Sequence, residues 1–135
     1  MRIAVLDDIH NAYDAADGVR RLRERAEVTI FTRKAEPREL AGFDVLITNR
    51  ERTRFTRELL EQLNGVKLIA QTGAHAYHID FAAARECGIT VAKVGGGGRA
   101  SGVVDLTLGL ILALMRGIVK GDADIKAGMW DTPLG

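Results

Sequence analysis

The residues best suited to hold a small anion lie in one short run, Thr72-Gly73-Ala74-His75, directly after the apolar Leu68-Ile69-Ala70. Small side chains let a ligand approach the backbone closely, and successive N–H groups in a turn make a concave anion site. A carboxylate fits such a hollow, although spacing alone is met equally by a Gly73 that only makes a tight turn. His75 and His78 stand three residues apart, but no cysteine or third histidine lies near them to complete a tetrahedral ligand set, so they do not read as a metal site. His75 could hydrogen-bond a substrate, against the plainer reading of a histidine in a surface loop. Asp7 and Asp8 could hold a divalent ion, against the plainer reading of a solvated strand end. The one cysteine, Cys87, reads as a packed side chain rather than a nucleophile.

A second run, Gly95-Gly96-Gly97-Gly98-Arg99-Ala100, can be written as G-x-G-x-x-A between a strand and a helix, the outline of a dinucleotide fingerprint. The fingerprint also needs a further strand ending in an acidic residue ~20 positions on, and Gly117 to Asp124 contains no strand pattern. The glycines therefore read as a hinge between residues 1–98 and 99–135, not as a phosphate cradle.

Strands must present these loops. Five β-branched-rich runs recur: Arg2 to Leu6, Glu27 to Thr32, Asp44 to Thr48, Lys67 to Gln71 and Ile89 to Val94. Three of them hold a continuous apolar stretch, the pattern of strands covered on both faces of a parallel sheet. Between the first two, Ala15, Val19, Leu22 and Ala26 fall at helical spacing. Thr56 is placed to cap a helix burying Leu59, Leu60 and Leu63 and ending at Asn64-Gly65; Asp80 is placed to cap Phe81 to Cys87, with Gly88 ending it. Pro37 to Gly42 has room for one helical turn at most. A β-α-β series of this kind predicts an α/β fold, a flavodoxin-like doubly wound five-stranded parallel sheet, with ligands bound outside the carboxyl ends of the strands.

The segment from Ser101 to Arg116 is a helix that is apolar on more than one face, from Val103 and Val104 to Leu114 and Met115. Such a surface must be covered by a second domain or another subunit. A short polar helix, Asp122 to Ala127, is expected after it, leading to Trp130.

Composition narrows the function. With 19 basic and 18 acidic residues interspersed over 135, a net charge of +1 and 47% hydrophobic content, no one-signed field exists to draw in nucleic acid or an anionic membrane. The apolar segment Val103 to Val119 is broken by Asp105 and Arg116 and falls short of the ~20 residues of a membrane span. A charged start and a single cysteine predict a reducing, cytoplasmic setting and a small-molecule partner.

Four stretches together carry a family likeness: Arg50-Glu51-Arg52-Thr53; Leu68-Ile69-Ala70-Gln71-Thr72-Gly73-Ala74-His75-Ala76-Tyr77-His78-Ile79-Asp80; Ala82 to Val91; and Val103-Val104-Asp105-Leu106-Thr107. Over Met1 to Gly135 the chain resembles the D-isomer-specific 2-hydroxyacid dehydrogenase family, of the D-3-phosphoglycerate-dehydrogenase-like kind, in its amino-terminal part. The resemblance implies an NAD-dependent oxidoreductase acting on a small 2-hydroxy or 2-keto acid, with substrate contacts at Arg50, Arg52, Thr72, Gly73, Ala74 and His75. It further implies cofactor contacts at Ala74 and Val104, and a homodimer through Ser101 to Arg116. Asp105 stands where the family usually has glutamate, and Tyr77 and His78 stand where it tends to have Asp or Asn. The family's catalytic arginine, supporting carboxylate, acid-base histidine and true G-x-G-x-x-G fall beyond the part matched. The resemblance therefore implies a chain that is catalytically silent by itself, whether a fragment or a truncated product, and does not hold NAD securely.

Two rivals use other features. A receiver-like signalling domain shares the five-stranded plan, an acidic pair (Asp7, Asp8) and a lysine after the last strand (Lys93), but has Thr48 and Asn49 where a phosphoacceptor aspartate would stand. A retained oligomerisation module would use the apolar helix alone.

Overall fold

The computed structural model describes residues 1–95 and 101–130. The chain divides into two compact units, Met1–Gly96 and Gly97–Gly135. The expected hinge falls largely on residues 96–100, and the segment after Trp130 on 131–135; both lie outside the described residues.

The first unit is a five-stranded sheet in the order β2-β1-β3-β4-β5, with every pairing parallel. Its strands are β1 (Arg2–Val5), β2 (Glu27–Ile30), β3 (Val45–Thr48), β4 (Leu68–Gln71) and β5 (Thr90–Lys93). All five expected runs form strands. Register aligns Ala4 with Leu46, Leu46 with Ile69, and Ile69 with Val91. Because successive side chains alternate across a strand, Ala4, Leu46 and Ile69 share a face. That face is sealed by Leu60, Leu63, Ala83 and Ala84, with Phe55 and Ile79 in the same core.

The opposite face departs from expectation. Ile3, Val5 and Val19 are buried, but Val45, Ile47, Leu68 and Ala70 remain half-buried. The physical reason is the length of α1 (Asp17–Arg23): a helix of seven residues packed beside β2 cannot roof all the strands.

The connecting elements follow local rules with two corrections. α2 (Arg57–Leu60) is one turn, ending well before Asn64-Gly65, and Thr56 at its N-cap makes no side-chain capping bond. α3 (Phe81–Glu86) is capped as expected, the Asp80 carboxylate accepting the Ala83 N–H at 2.9 Å. Gly88 follows with φ +72°, the left-handed geometry that ends a helix. Pro37–Leu40 forms a single 3-10 turn closed by a reciprocal Glu36/Glu39 capping box. Cys87 is exposed rather than packed, because it sits at the C-cap of α3, where the chain turns away from the core.

The second unit holds α4 (Ser101–Met115) and α5 (Ile118–Lys126), which pack on each other across Gly117, held at φ +58°. α5 starts at Ile118, four residues before the expected start at Asp122. Val103, Val104, Leu106, Leu108, Leu110, Ile111, Leu112, Leu114 and Met115 are all exposed. Among the described residues no single helix is long and apolar enough to cross a membrane; α4 and α5 would pass only as a pair, and that pair is bent by 58°.

Candidate functional site

In an open parallel sheet the ligand crevice opens where strand order reverses, here between β1 and β3. In this chain hydrogen bonds tie the β3 exit to the β1 exit there. Past β1, Asp7 turns through φ +57° and Asp8 follows; both are buried, at 5% and 1% exposure. The Asp8 carboxylate accepts the N–H groups of Ala12 (3.0 Å) and Tyr13 (2.8 Å), fixing the β1 exit turn. The Asp7 carboxylate accepts the Thr53 hydroxyl at 2.6 Å, while its carbonyl accepts Arg52 Nη1 at 2.5 Å and Asn49 Nδ2 at 3.4 Å. The expectation of a solvated acidic pair is therefore corrected: both carboxylates are structural acceptors, because the sheet order brings the β3 exit over the β1 exit. Among the described residues no group of three or more His, Cys, Asp or Glu could hold a metal ion.

The exit of β3 next door is strained. Arg50 is exposed and adopts φ +59°, an unusual backbone state for a residue with a side chain. Its guanidinium makes no ion pair within the described residues, whereas Arg52 is tied to β1.

One strand further along lies the open loop. Thr72 is spent internally: its N–H and its hydroxyl both go to the Thr48 carbonyl, at 3.3 and 2.8 Å. The next three N–H groups, those of Gly73, Ala74 and His75, have no acceptor among the described residues. Gly73 and Ala74 are half-buried, and His75 is exposed. Of the stretch Thr72 to His75, three N–H groups are thus left without an acceptor among the described residues, a donor set that could face an anion but not a cation. Arg50, Arg52 and this loop stand at the same edge of the sheet, since Thr48 and Gln71, the last residues of β3 and β4, are register partners. Val104 belongs to the second unit, on an exposed stretch of α4, so it is described apart from Ala74.

Sequence reasoning missed Gln71, Thr48, Thr53 and the burial of His78. Gln71 is 2% exposed; its side-chain carbonyl accepts the Thr48 hydroxyl, and its Nε2 donates to the His75 carbonyl at 2.9 Å. A polar residue closing a continuously apolar strand was the available signal.

His78 is 7% exposed, and neither ring nitrogen has a hydrogen-bond partner among the described residues. Its ring centroid is 6.3 Å from those of Phe55 and Tyr77. Phe55 and Ile79 form a parallel bridge here, the Phe55 N–H donating to the His78 carbonyl at 2.9 Å. Burial pushes the imidazole pKa below its usual value, against a weaker upward pull from Glu51; Arg54, Arg57, Glu58 and Asp80 line the adjoining groove. The unfolded chain therefore binds more protons than the folded chain once pH falls below about 6.5. Stability is whole above that pH and is lost as pH drops toward the lower folded-state value, by at most about 1.4 kcal/mol per pH unit. Urea melts on either side of about pH 6.5 should show this slope in the native chain and a flatter one in His78→Leu; equal slopes would mean that another group titrates.

Fold and loop together define an open, parallel α/β domain with N–H groups at the β4 exit that have no acceptor among the described residues. The family described as D-isomer specific 2-hydroxyacid dehydrogenase, catalytic domain, matches residues 3–121. D-3-phosphoglycerate dehydrogenase of Methanocaldococcus jannaschii is 33% identical over 134 residues, covering 97% of this chain and 24% of that protein. The structure of a phosphoglycerate oxidoreductase from Vibrio cholerae O395 superposes with a TM-score of 0.76 at 33% identity, covering 100% of this chain and 45% of the other. An NAD-dependent formate dehydrogenase from Staphylococcus aureus, in complex with NAD, gives a TM-score of 0.72 at 27% identity, covering 97% of this chain and 42% of that one. The chain belongs to the D-isomer specific 2-hydroxyacid dehydrogenase family. It spans about a quarter of the curated relative and under half of the solved structures. The receiver-like alternative is not favoured, as the acidic pair it needs is consumed internally.

Proposed function

We propose that this chain is the substrate-side part of an NAD-dependent D-2-hydroxyacid dehydrogenase, binding the carboxylate of a small 2-hydroxy or 2-keto acid. The observation carrying this reading is the run of three N–H groups, at Gly73, Ala74 and His75, that have no acceptor among the described residues. Arg50, exposed and unpaired, adds positive charge at the same sheet edge, and Arg52 keeps its remaining N–H donors beyond the one given to Asp7. Titrating the isotope-labelled chain with pyruvate should move the amide resonances of Gly73, Ala74 and His75, while neutral methyl pyruvate should not. Arg50→Ala should weaken pyruvate binding about two- to fivefold, the worth of an exposed charge contact. If pyruvate leaves all three amides in place, the reading fails.

The described residues do not fit a dinucleotide: after β5 the next described element is α4, and no strand follows to supply the ribose-binding acid. The family resemblance proposes Ala74, in the first unit, and Val104, in the second, as cofactor contacts, each taken separately. The 135 residues alone are therefore expected to give no turnover with NADH and 2-keto acids, and measurable turnover would overturn that. We place the protein in the cytoplasm, a setting suited to the free, exposed Cys87.

The apolar surface of α4 supports a homodimer through Ser101 to Arg116, because exposed patches of this extent mark association sites. Sedimentation should show a dimer, and a monomer at every concentration would count against this arrangement.

A further inference from the structure

The carboxylate reading leaves one peptide unassigned. Ala76 is only 6% exposed, yet its N–H has no acceptor among the described residues. An N–H without a protein acceptor is unusual in so buried a residue, since most backbone donors there are paired. The same peptide carries the His75 carbonyl, which is gripped from beneath by Gln71 Nε2 at 2.9 Å. In a planar trans peptide the C=O and N–H point in opposite directions, and none of the described peptides is cis. Holding the His75 carbonyl against Gln71 therefore directs the Ala76 N–H to the opposite side of the peptide, away from Gln71.

The orientation of the Gln71 amide is itself fixed. Its oxygen accepts the Thr48 hydroxyl, so its nitrogen is the end presented to the loop. A Cβ on Gly73 would come within 3.2 Å of that nitrogen, so the loop is wound closely around the amide. A reversed His75–Ala76 peptide would set a carbonyl where an anion is to sit, with its nitrogen facing the Gln71 donor, and lose both interactions.

Resting on the carboxylate reading, we propose that Gln71 is a positioning residue: through the His75 carbonyl it sets the His75–Ala76 peptide so that the Ala76 N–H becomes a fourth donor to the bound anion. Gln71 itself does not touch the ligand. This distinguishes it from a residue that only fills the core, since its loss should change the loop amides and anion affinity beyond any change in stability.

The test is nuclear magnetic resonance on the full 135-residue chain, comparing wild type with Gln71→Met, which loses both bonds, and Gln71→Glu, which keeps the Thr48 bond but cannot donate to His75 when ionised. Without ligand, the His75 carbonyl carbon and the Ala76 amide should shift or split into two sets in both variants. With pyruvate, wild type should move the Ala76 amide along with Gly73 to His75, and Gln71→Met should bind about tenfold more weakly, the factor for one hydrogen bond of ordinary strength. Unchanged His75 and Ala76 resonances in Gln71→Met, or undiminished affinity, would overturn the proposal. A wild type that ignores pyruvate would sink the carboxylate reading instead, and the ligand-free shifts would still decide whether Gln71 sets the peptide. Should neither Gln71 variant fold, Thr48→Val, which frees the far end of the amide, should give the same shifts to a lesser degree, and their absence would refute the mechanism.

Discussion

Phe55→Ala is expected to lower the unfolding free energy of the first unit by about 3–5 kcal/mol, the usual loss for an aromatic side chain truncated in a packed core. Phe55 is 0% exposed. It belongs to the same cluster as Leu46, Leu60, Ile69 and Ile79, so neighbours from two strands and two connecting segments would all border the cavity. The residue also bridges Ile79, tying the segment after β3 to the loop after β4, with the Asp80 N–H donating to the Phe55 carbonyl at 2.9 Å. The damage should therefore reach the donor loop as well as the midpoint of denaturation. Phe55→Leu, which keeps most of the volume, should cost under about 1.5 kcal/mol. Urea unfolding of both variants decides it: a loss below about 1 kcal/mol for the alanine variant would mean that Phe55 lies outside the cooperative core.

Asp8→Ala is expected to cost about 3 kcal/mol, because two N–H groups lose a charged acceptor in a place water reaches poorly. The carboxylate is almost wholly buried and holds Ala12 and Tyr13 at 3.0 and 2.8 Å. Asp8→Asn keeps one oxygen and should lose roughly half as much. Hydrogen exchange at the Ala12 and Tyr13 amides gives an independent reading, with both becoming fast in the alanine variant. If they stay slow, some other acceptor closes the β1 exit turn.

These two residues show where reading the sequence stops being enough. Asp8 follows an apolar strand and is adjacent to a second aspartate, the pattern of a solvated strand end or a cation site. What makes it a structural acceptor is the left-handed turn of Asp7 and Asn11, which folds the chain back over the carboxylate. Phe55 is one apolar residue among charged neighbours, Arg52, Arg54 and Arg57; its place in the core depends on a bridge to Ile79, which lies 24 residues further on.

The sequence by itself determined the five strands, the Asp80 cap, the Gly88 stop and the loop that follows the fourth strand. Each of these depends on chemistry within a few residues: runs of β-branched side chains, a carboxylate within reach of the next turn's N–H, a residue without a Cβ at positive φ. Only the tertiary structure decided that Arg52 and Thr53 bond to Asp7 at the β1 exit, that His78 is buried, and that Gln71 reaches from β4 into the loop beyond it. The partners of Asp7 lie 42, 45 and 46 residues along the chain, and Thr48 is 23 from Gln71. Contacts over such distances are set by which strands lie side by side, and a polar residue's burial is set by what covers it; neither quantity is written in the local pattern.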